Sequence, residues 1–158
     1  MLAAPQPRSI SARAPYPEGV STMRNSHSAP AHFASVLVAD DNPDITEMLA
    51  AFLQLSGFRV QCAANGVEAV ECFDRERPDV AVLDIQMPMM DGLAAARHMK
   101  ARHPGVLLIA ATGRPDLAVA AGSSAPFARV FCKPVSADEI VSAIRSHLSA
   151  GNSLRKTA

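Results

Sequence analysis

Three short runs of purely apolar residues, Val36-Leu37-Val38-Ala39, Val80-Ala81-Val82-Leu83 and Val106-Leu107-Leu108-Ile109-Ala110-Ala111, constrain the fold of this chain more than any other feature in it. Lacking polar alternation, each fits a strand covered on both faces, as in a parallel sheet with helices above and below. Each run also stops at a polar side chain: Asp40 and Asp41, then Asp84, then Thr112. In open sheets of this kind ligands bind outside the carboxyl ends of the strands, so the residues that end these runs stand where chemistry is usually done.

The intervening segments read as helices with their own start and stop signals. Asn42 is placed to cap and Pro43 to occupy the first helical position, followed by a stripe of Ile45, Met48, Leu49, Phe52 and Leu53 that Gly57 ends. Phe58-Arg59-Val60-Gln61-Cys62 alternates with period two, as an edge strand does. Asn65 and Glu68 form a capping-box-like start to a helix reaching about Arg75, and Pro78 resets the chain. Pro88 stops the next strand, Asp91 with Gly92 caps the helix from Leu93 to His103, and Pro104-Gly105 ends it. Pro115 to Ala121 predicts only a short helix before a flexible stretch at 122–126. Arg129 to Cys132 is a fifth strand ending in Lys133-Pro134; Ser136 with Glu139 opens a last helix whose stripe is Ile140, Ile144 and Leu148 and which Gly151 closes. Five strand–helix alternations with short connections and right-handed crossovers give a parallel sheet covered on both sides, an α/β class of three layers; the expected arrangement is a doubly wound (βα)5 with its five strands in the order 2-1-3-4-5.

The 158 residues suffice for one core, placed at 34–150. Residues 1–33, with five prolines among Ala, Ser and Arg and no apolar period, read as a disordered tail, and 151–158 as a short second tail. Aromatics are only 4% and Trp is absent, so aliphatic residues must build the core. Fifteen basic residues balance fifteen acidic ones, which calls for neither nucleic acid nor a membrane surface. Cys62, Cys72 and Cys132 lack any CxxC spacing and read as core residues of a reducing, cytoplasmic compartment; His98 and His103, on different faces of one helix, read as surface residues.

Four strand ends thus carry Asp40 and Asp41, Asp84, Thr112 and Lys133, all on one rim. In the 2-1-3-4-5 order the first and third strands are neighbours, which gathers three carboxylates. Singly, each residue has a plain alternative as a helix cap or a solvated end. Jointly they suit a hard divalent cation such as Mg²⁺, with Lys133 as a further positive charge. Asp84 can then act as a nucleophile toward phosphorus, with the Thr112 hydroxyl donating to the transferred group.

Val-Ala-Asp-Asp-Asn at 38–42, Leu-Asp-Ile-Gln-Met-Pro-Met-Met-Asp-Gly at 83–92, Ala-Thr-Gly at 111–113 and Cys-Lys-Pro at 132–134 together resemble the receiver domain of two-component response regulators, from about Val36 to Ala150. The resemblance implies a flavodoxin-like, CheY-like fold in which Asp84 accepts a phosphoryl group from a phosphohistidine of a sensor histidine kinase or a histidine phosphotransfer protein. It implies Mg²⁺ ligated by Asp41 and Asp84, by Asp40 mainly through water, and by the backbone carbonyl of Gln86, with Thr112 and Lys133 binding phosphoryl oxygens. It also places Gln86 and Arg114 beside the acyl phosphate. The family's aromatic residue three positions before the lysine is Val130 here, so Phe127, Phe131 or backbone movement must take its place in the switch.

Two other phosphate- or flavin-linked classes fit less well. A haloacid-dehalogenase-type phosphotransferase needs a second acid two residues after the nucleophile, where this chain has Gln86, and a flavodoxin relative needs a Gly/Ser/Thr-rich phosphate loop where this chain has Asp40-Asp41-Asn42-Pro43. The expected role is therefore a signalling domain rather than an enzyme acting on a separate substrate. Its output is expected by protein contact, as a single-domain phosphate shuttle in a relay or as a switch that binds a partner on the face of the fourth helix, fifth strand and fifth helix, with no DNA-binding part. The alternative is a receiver module of a hybrid kinase or a longer regulator.

Overall fold

A computed structural model describes residues 33–120 and 126–155. The expected 1–33 tail lies outside the described residues but for Phe33, and most of the stretch expected at 122–126 lies outside them too. In chain order the elements are β1 (Ser35–Ala39), α1 (Pro43–Leu55), β2 (Arg59–Ala63), α2 (Gly66–Glu76), β3 (Val80–Leu83), α3 (Gly92–Arg102), β4 (Leu107–Thr112), α4 (Pro115–Ala120), β5 (Arg129–Cys132) and α5 (Ala137–Arg155). The five strands form one sheet in the order β2-β1-β3-β4-β5, every adjacent pair parallel. This is the doubly wound arrangement expected from the apolar runs.

Alternation of side chains divides the core between the two sheet faces. Leu37, Leu83 and Leu108 point toward Phe73 of α2 and Met99 of α3. Val36, Val38, Val82 and Ile109 point the other way, toward Leu49 and Leu53 of α1 and Ile140 and Ile144 of α5. All four residues of β3 are buried, which is why that central strand tolerates no polar residue until its end.

The caps form as their residue types dictate. Asn42 accepts from the Asp44 N–H at 3.0 Å, Asp91 from the Ala94 N–H at 2.7 Å, and Ser136 and Glu139 bond reciprocally at 3.3 and 3.0 Å. Asn65 accepts from the Glu68 N–H at 2.9 Å, while the Glu68 carboxylate reaches back to the Ala64 N–H and not to that of its cap.

Several expectations need correction. The buried face of α1 is Thr46, Leu49, Ala50 and Leu53, whereas Met48 of the expected stripe is 64% exposed. The α1 stripe is therefore turned by about one residue, because the small Thr46 and Ala50 face the sheet. Cys62 and Cys132 are exposed, since each lies on an outer strand with one side uncovered; of the three cysteines only Cys72 is buried, its thiol 2.8 Å from the Gln61 side-chain oxygen. His103 is exposed and His98 partly so, in keeping with surface positions, and His98 in addition sits 3.1 Å from the Asp74 carboxylate and ties α3 to α2. Gly151 does not close α5, which continues to Arg155. A glycine inside a helix costs only about 1 kcal/mol relative to alanine.

Candidate functional site

Strand register builds the rim. Ala39 pairs with Leu83 across β1 and β3, so Asp40 and Asp84 follow at adjacent strand ends. The backbone continues this pairing one step further, with the Asp84 N–H donating to the Ala39 carbonyl at 2.8 Å and the Asp40 N–H to the Ala63 carbonyl at 3.2 Å. Asp40 and Asp84 are 5% and 8% exposed, while Asp41 faces solvent, and one carboxylate oxygen from each of the three lies within 4.8 Å of the others. Two like charges at such a distance repel by about 4 kcal/mol at an effective dielectric of 20, so the cluster needs compensation.

Part of that compensation comes from Lys133, which follows β5 and reaches past β4. Its Nζ lies 2.5 Å from Asp40 Oδ2 and 3.1 Å from Asp84 Oδ2. Burial by itself would lower the pKa of this ammonium, but the hydrogen bonds it donates to Asp40 and Asp84 and the charges of those carboxylates outweigh it and hold the pKa above its ordinary value. Three carboxylates facing one ammonium still leave an excess of two negative charges. An all-oxygen donor set of this charge, spaced within 4.8 Å, fits a hard divalent cation. Asp41 borders two open clefts, one shared with Thr46 and Glu47 and the other with Gln86 and Asp91, so the exposed side of the cluster is reachable.

The remaining expected residues take distinct places. Thr112 ends β4 fully buried, and its hydroxyl accepts the Arg114 N–H at 3.1 Å, leaving its own proton to donate elsewhere. Its carbonyl accepts the Lys133 N–H at 2.9 Å, which locks the ends of β4 and β5 together. Gln86 engages Asp84 through its N–H, 3.2 Å from Oδ1. Arg114 turns outward to an exposed pair with Asp116, 2.8 Å away. That pairing raises the pKa of the guanidinium and lowers that of the carboxylate.

Two glycines contribute in a way the sequence reading missed. A Cβ on Gly92 would lie 1.9 Å from the Asp84 carbonyl oxygen, and one on Gly66 would lie 2.2 Å from that of Met90. Both are needed for the loop after β3 to fold back against its neighbours. Their only sequence signal is a glycine directly after a capping Asp or Asn, which capping alone already explains.

Val130, Phe131 and Phe127, the residues at or beside the family's aromatic position, lie in different surroundings. Val130 pairs with Ala110 and is 43% exposed. Phe131 packs with the cluster on the α1 and α5 side. Phe127 packs with Ile85, Ala110 and Leu117, on the opposite side of the sheet, beneath α4.

An open parallel sheet in the order β2-β1-β3-β4-β5, with acids, a hydroxyl and a lysine on one rim, is the flavodoxin-like arrangement of a signal-receiving domain. The family model for the response regulator receiver domain matches residues 36–145, and the chain belongs to that family. Among curated relatives, it is 35% identical over 116 residues to the probable transcriptional regulatory protein TcrX of Mycobacterium tuberculosis, covering 72% of this chain and 49% of the relative. It is 44% identical over 75 residues to a protein-glutamate methylesterase/protein-glutamine glutaminase of Hahella chejuensis, covering 47% of this chain and 22% of that protein. A receiver domain structure from Clostridium thermocellum superposes with a TM-score of 0.70 at 27% identity, covering 77% of this chain and 99% of the other. The chain thus spans half or less of these two curated relatives. Among the described residues no helix is long and apolar enough to cross a membrane.

Proposed function

We propose that this receiver takes a phosphoryl group onto Asp84 from the phosphohistidine of a sensor histidine kinase or a histidine phosphotransfer protein. The observation that carries the reading is the position of Asp84 itself: at the end of the central strand, 8% exposed, its Oδ2 on the Lys133 ammonium and its neighbours Asp40 and Asp41. A carboxylate oxygen of Asp84 attacks phosphorus, the phosphorus–nitrogen bond breaks, and the imidazole leaves with the electron pair and is protonated. Lys133 neutralises phosphoryl oxygens and the Thr112 hydroxyl donates to one of them. Asp40, Asp41, Asp84 and the Gln86 carbonyl would hold Mg²⁺, which supplies charge neutralisation for the transferred group when bound.

Phosphorylation replaces the singly charged Asp84 carboxylate by an acyl phosphate, a net gain of about one negative charge and a set of strong acceptor oxygens at the rim, and shifts a two-state equilibrium of α4, β5 and α5. The exposed apolar residues Val119 on α4 and Val130 on β5 support this side as the face that meets a downstream protein. Catalysis is limited to the domain's own phosphorylation and dephosphorylation. The relatives' greater length favours a second reading of output, in which the receiver acts within a longer regulator whose further part responds to the same switch. The size of the natural protein, measured by intact mass from its source, separates the two.

The test of the acceptor is direct. With acetyl phosphate and Mg²⁺, intact mass is expected to show one phosphoryl adduct that disappears in Asp84→Ala. An adduct of equal yield in that variant would overturn the assignment.

A further inference from the structure

We propose that Thr46 is a positioning residue for the acidic cluster: its hydroxyl fixes the peptide between Asp40 and Asp41 and thereby aims the Asp41 carboxylate. Thr46 is 6% exposed on α1, and its Oγ1 lies 3.2 Å from the Asp40 carbonyl oxygen and 3.0 Å from that of Asn42. The second contact is the ordinary back-bond of a helical threonine to the carbonyl four residues earlier. The first is not, since it leaves the helix and spans six residues.

The Asn42 carbonyl also receives the Thr46 N–H at 3.1 Å, so the single hydroxyl proton lies between two carbonyls, of which that of Asp40 has the Thr46 hydroxyl as its tie to α1. That carbonyl shares a rigid plane with the Asp41 N–H, so fixing the plane holds the Asp41 N and Cα in place and narrows the positions its side chain can reach. The other two acids are oriented without it. Asp40 is held by Lys133 and by the Asn42 N–H at 2.9 Å, and Asp84 by Lys133 and the Gln86 N–H. Asp41 is exposed and has no share in the Lys133 pairs, so its aim depends most on its backbone.

The inference rests on the reading of Asp40, Asp41 and Asp84 as the Mg²⁺ ligands. Its test is Mg²⁺ affinity, measured on the full chain without phosphoryl donor by amide shifts in an NMR titration. Thr46→Val removes the hydroxyl at constant shape, and Thr46→Ala removes it without setting a methyl against the carbonyl. Thr46→Ser keeps it. Both hydroxyl-free variants are expected to raise the dissociation constant about fivefold, the size of one net hydrogen bond. Amide hydrogen exchange at Asp41 and Asn42 should also rise, and Thr46→Ser should restore both quantities.

A purely structural threonine gives a different pattern: a lower melting temperature with the Mg²⁺ dissociation constant unmoved in whichever of the two variants folds. That result overturns the proposal. Wild-type protein showing no saturable shift with Mg²⁺ would overturn the metal reading itself, and this inference with it.

Discussion

Lys133 is the residue on which the two buried acids of the rim depend. Its ammonium lies on both buried acids, and replacing it by methionine leaves Asp40 and Asp84 facing each other with a polar partner removed. A loss of about 1–3 kcal/mol is expected from unsatisfying such groups. The pH dependence has a definite sign. The folded-state pKa lies above the ordinary lysine value of 10.5, so the stabilisation is fully present below that value and is lost as pH rises through the higher folded value. Urea midpoints of wild type and Lys133→Met should therefore differ by a constant amount from pH 6 to 9 and converge only in strong alkali. A gap that halves between pH 7 and pH 9 would show that the ammonium is not held as the geometry describes.

At the scale of elements, α1 separates what pattern reveals from what packing decides. The stripe of Ile45, Met48, Leu49, Phe52 and Leu53 identified a helix correctly, because apolar periodicity follows from any one-sided burial. It places Leu49 and Leu53 correctly on the buried face but adds the exposed Met48 and leaves out Thr46 and Ala50, small residues against the sheet that carry almost no hydrophobic signal. Leu49→Ala should accordingly cost about 2–4 kcal/mol, whereas Met48→Ala at an exposed position should fall within about 0.5 kcal/mol. Equal losses in chemical unfolding would restore the sequence-based stripe. The rim residues were legible for the opposite reason: Asp40, Asp41, Asp84, Thr112 and Lys133 interrupt or follow apolar runs, so their chemistry stands out against strands that exclude it. Gly66, Gly92 and Thr46 act through close backbone approach and one hydroxyl contact, which have no periodic signature. Residue type alone puts cysteine in the core, and only the strand order shows that Cys62 and Cys132 lie on outer strands and are exposed.

For the molecule as a whole, the site couples to global stability because its groups come from the ends of β1, β3, β4 and β5, whose closure is the sheet itself. A cation bound by the native cluster and not by the unfolded chain stabilises the fold by about 2.7 kcal/mol at one hundred times its dissociation constant. For a domain of this size that corresponds to a melting temperature raised by roughly 10 °C. The same cluster without cation stores repulsion among three acids opposed by one ammonium. Asp41→Asn removes one of those charges while leaving the Lys133 pairs intact. It is expected to melt higher than wild type in EDTA, by a few degrees, and to gain little from Mg²⁺. Calorimetric scans of both proteins with EDTA and with saturating Mg²⁺ test both halves of this. If Asp41→Asn melted lower than wild type in EDTA, the acids would not be in mutual repulsion. If it gained as much from Mg²⁺ as wild type, Asp41 would not belong to the binding set, and the two outcomes are read independently from one pair of scans.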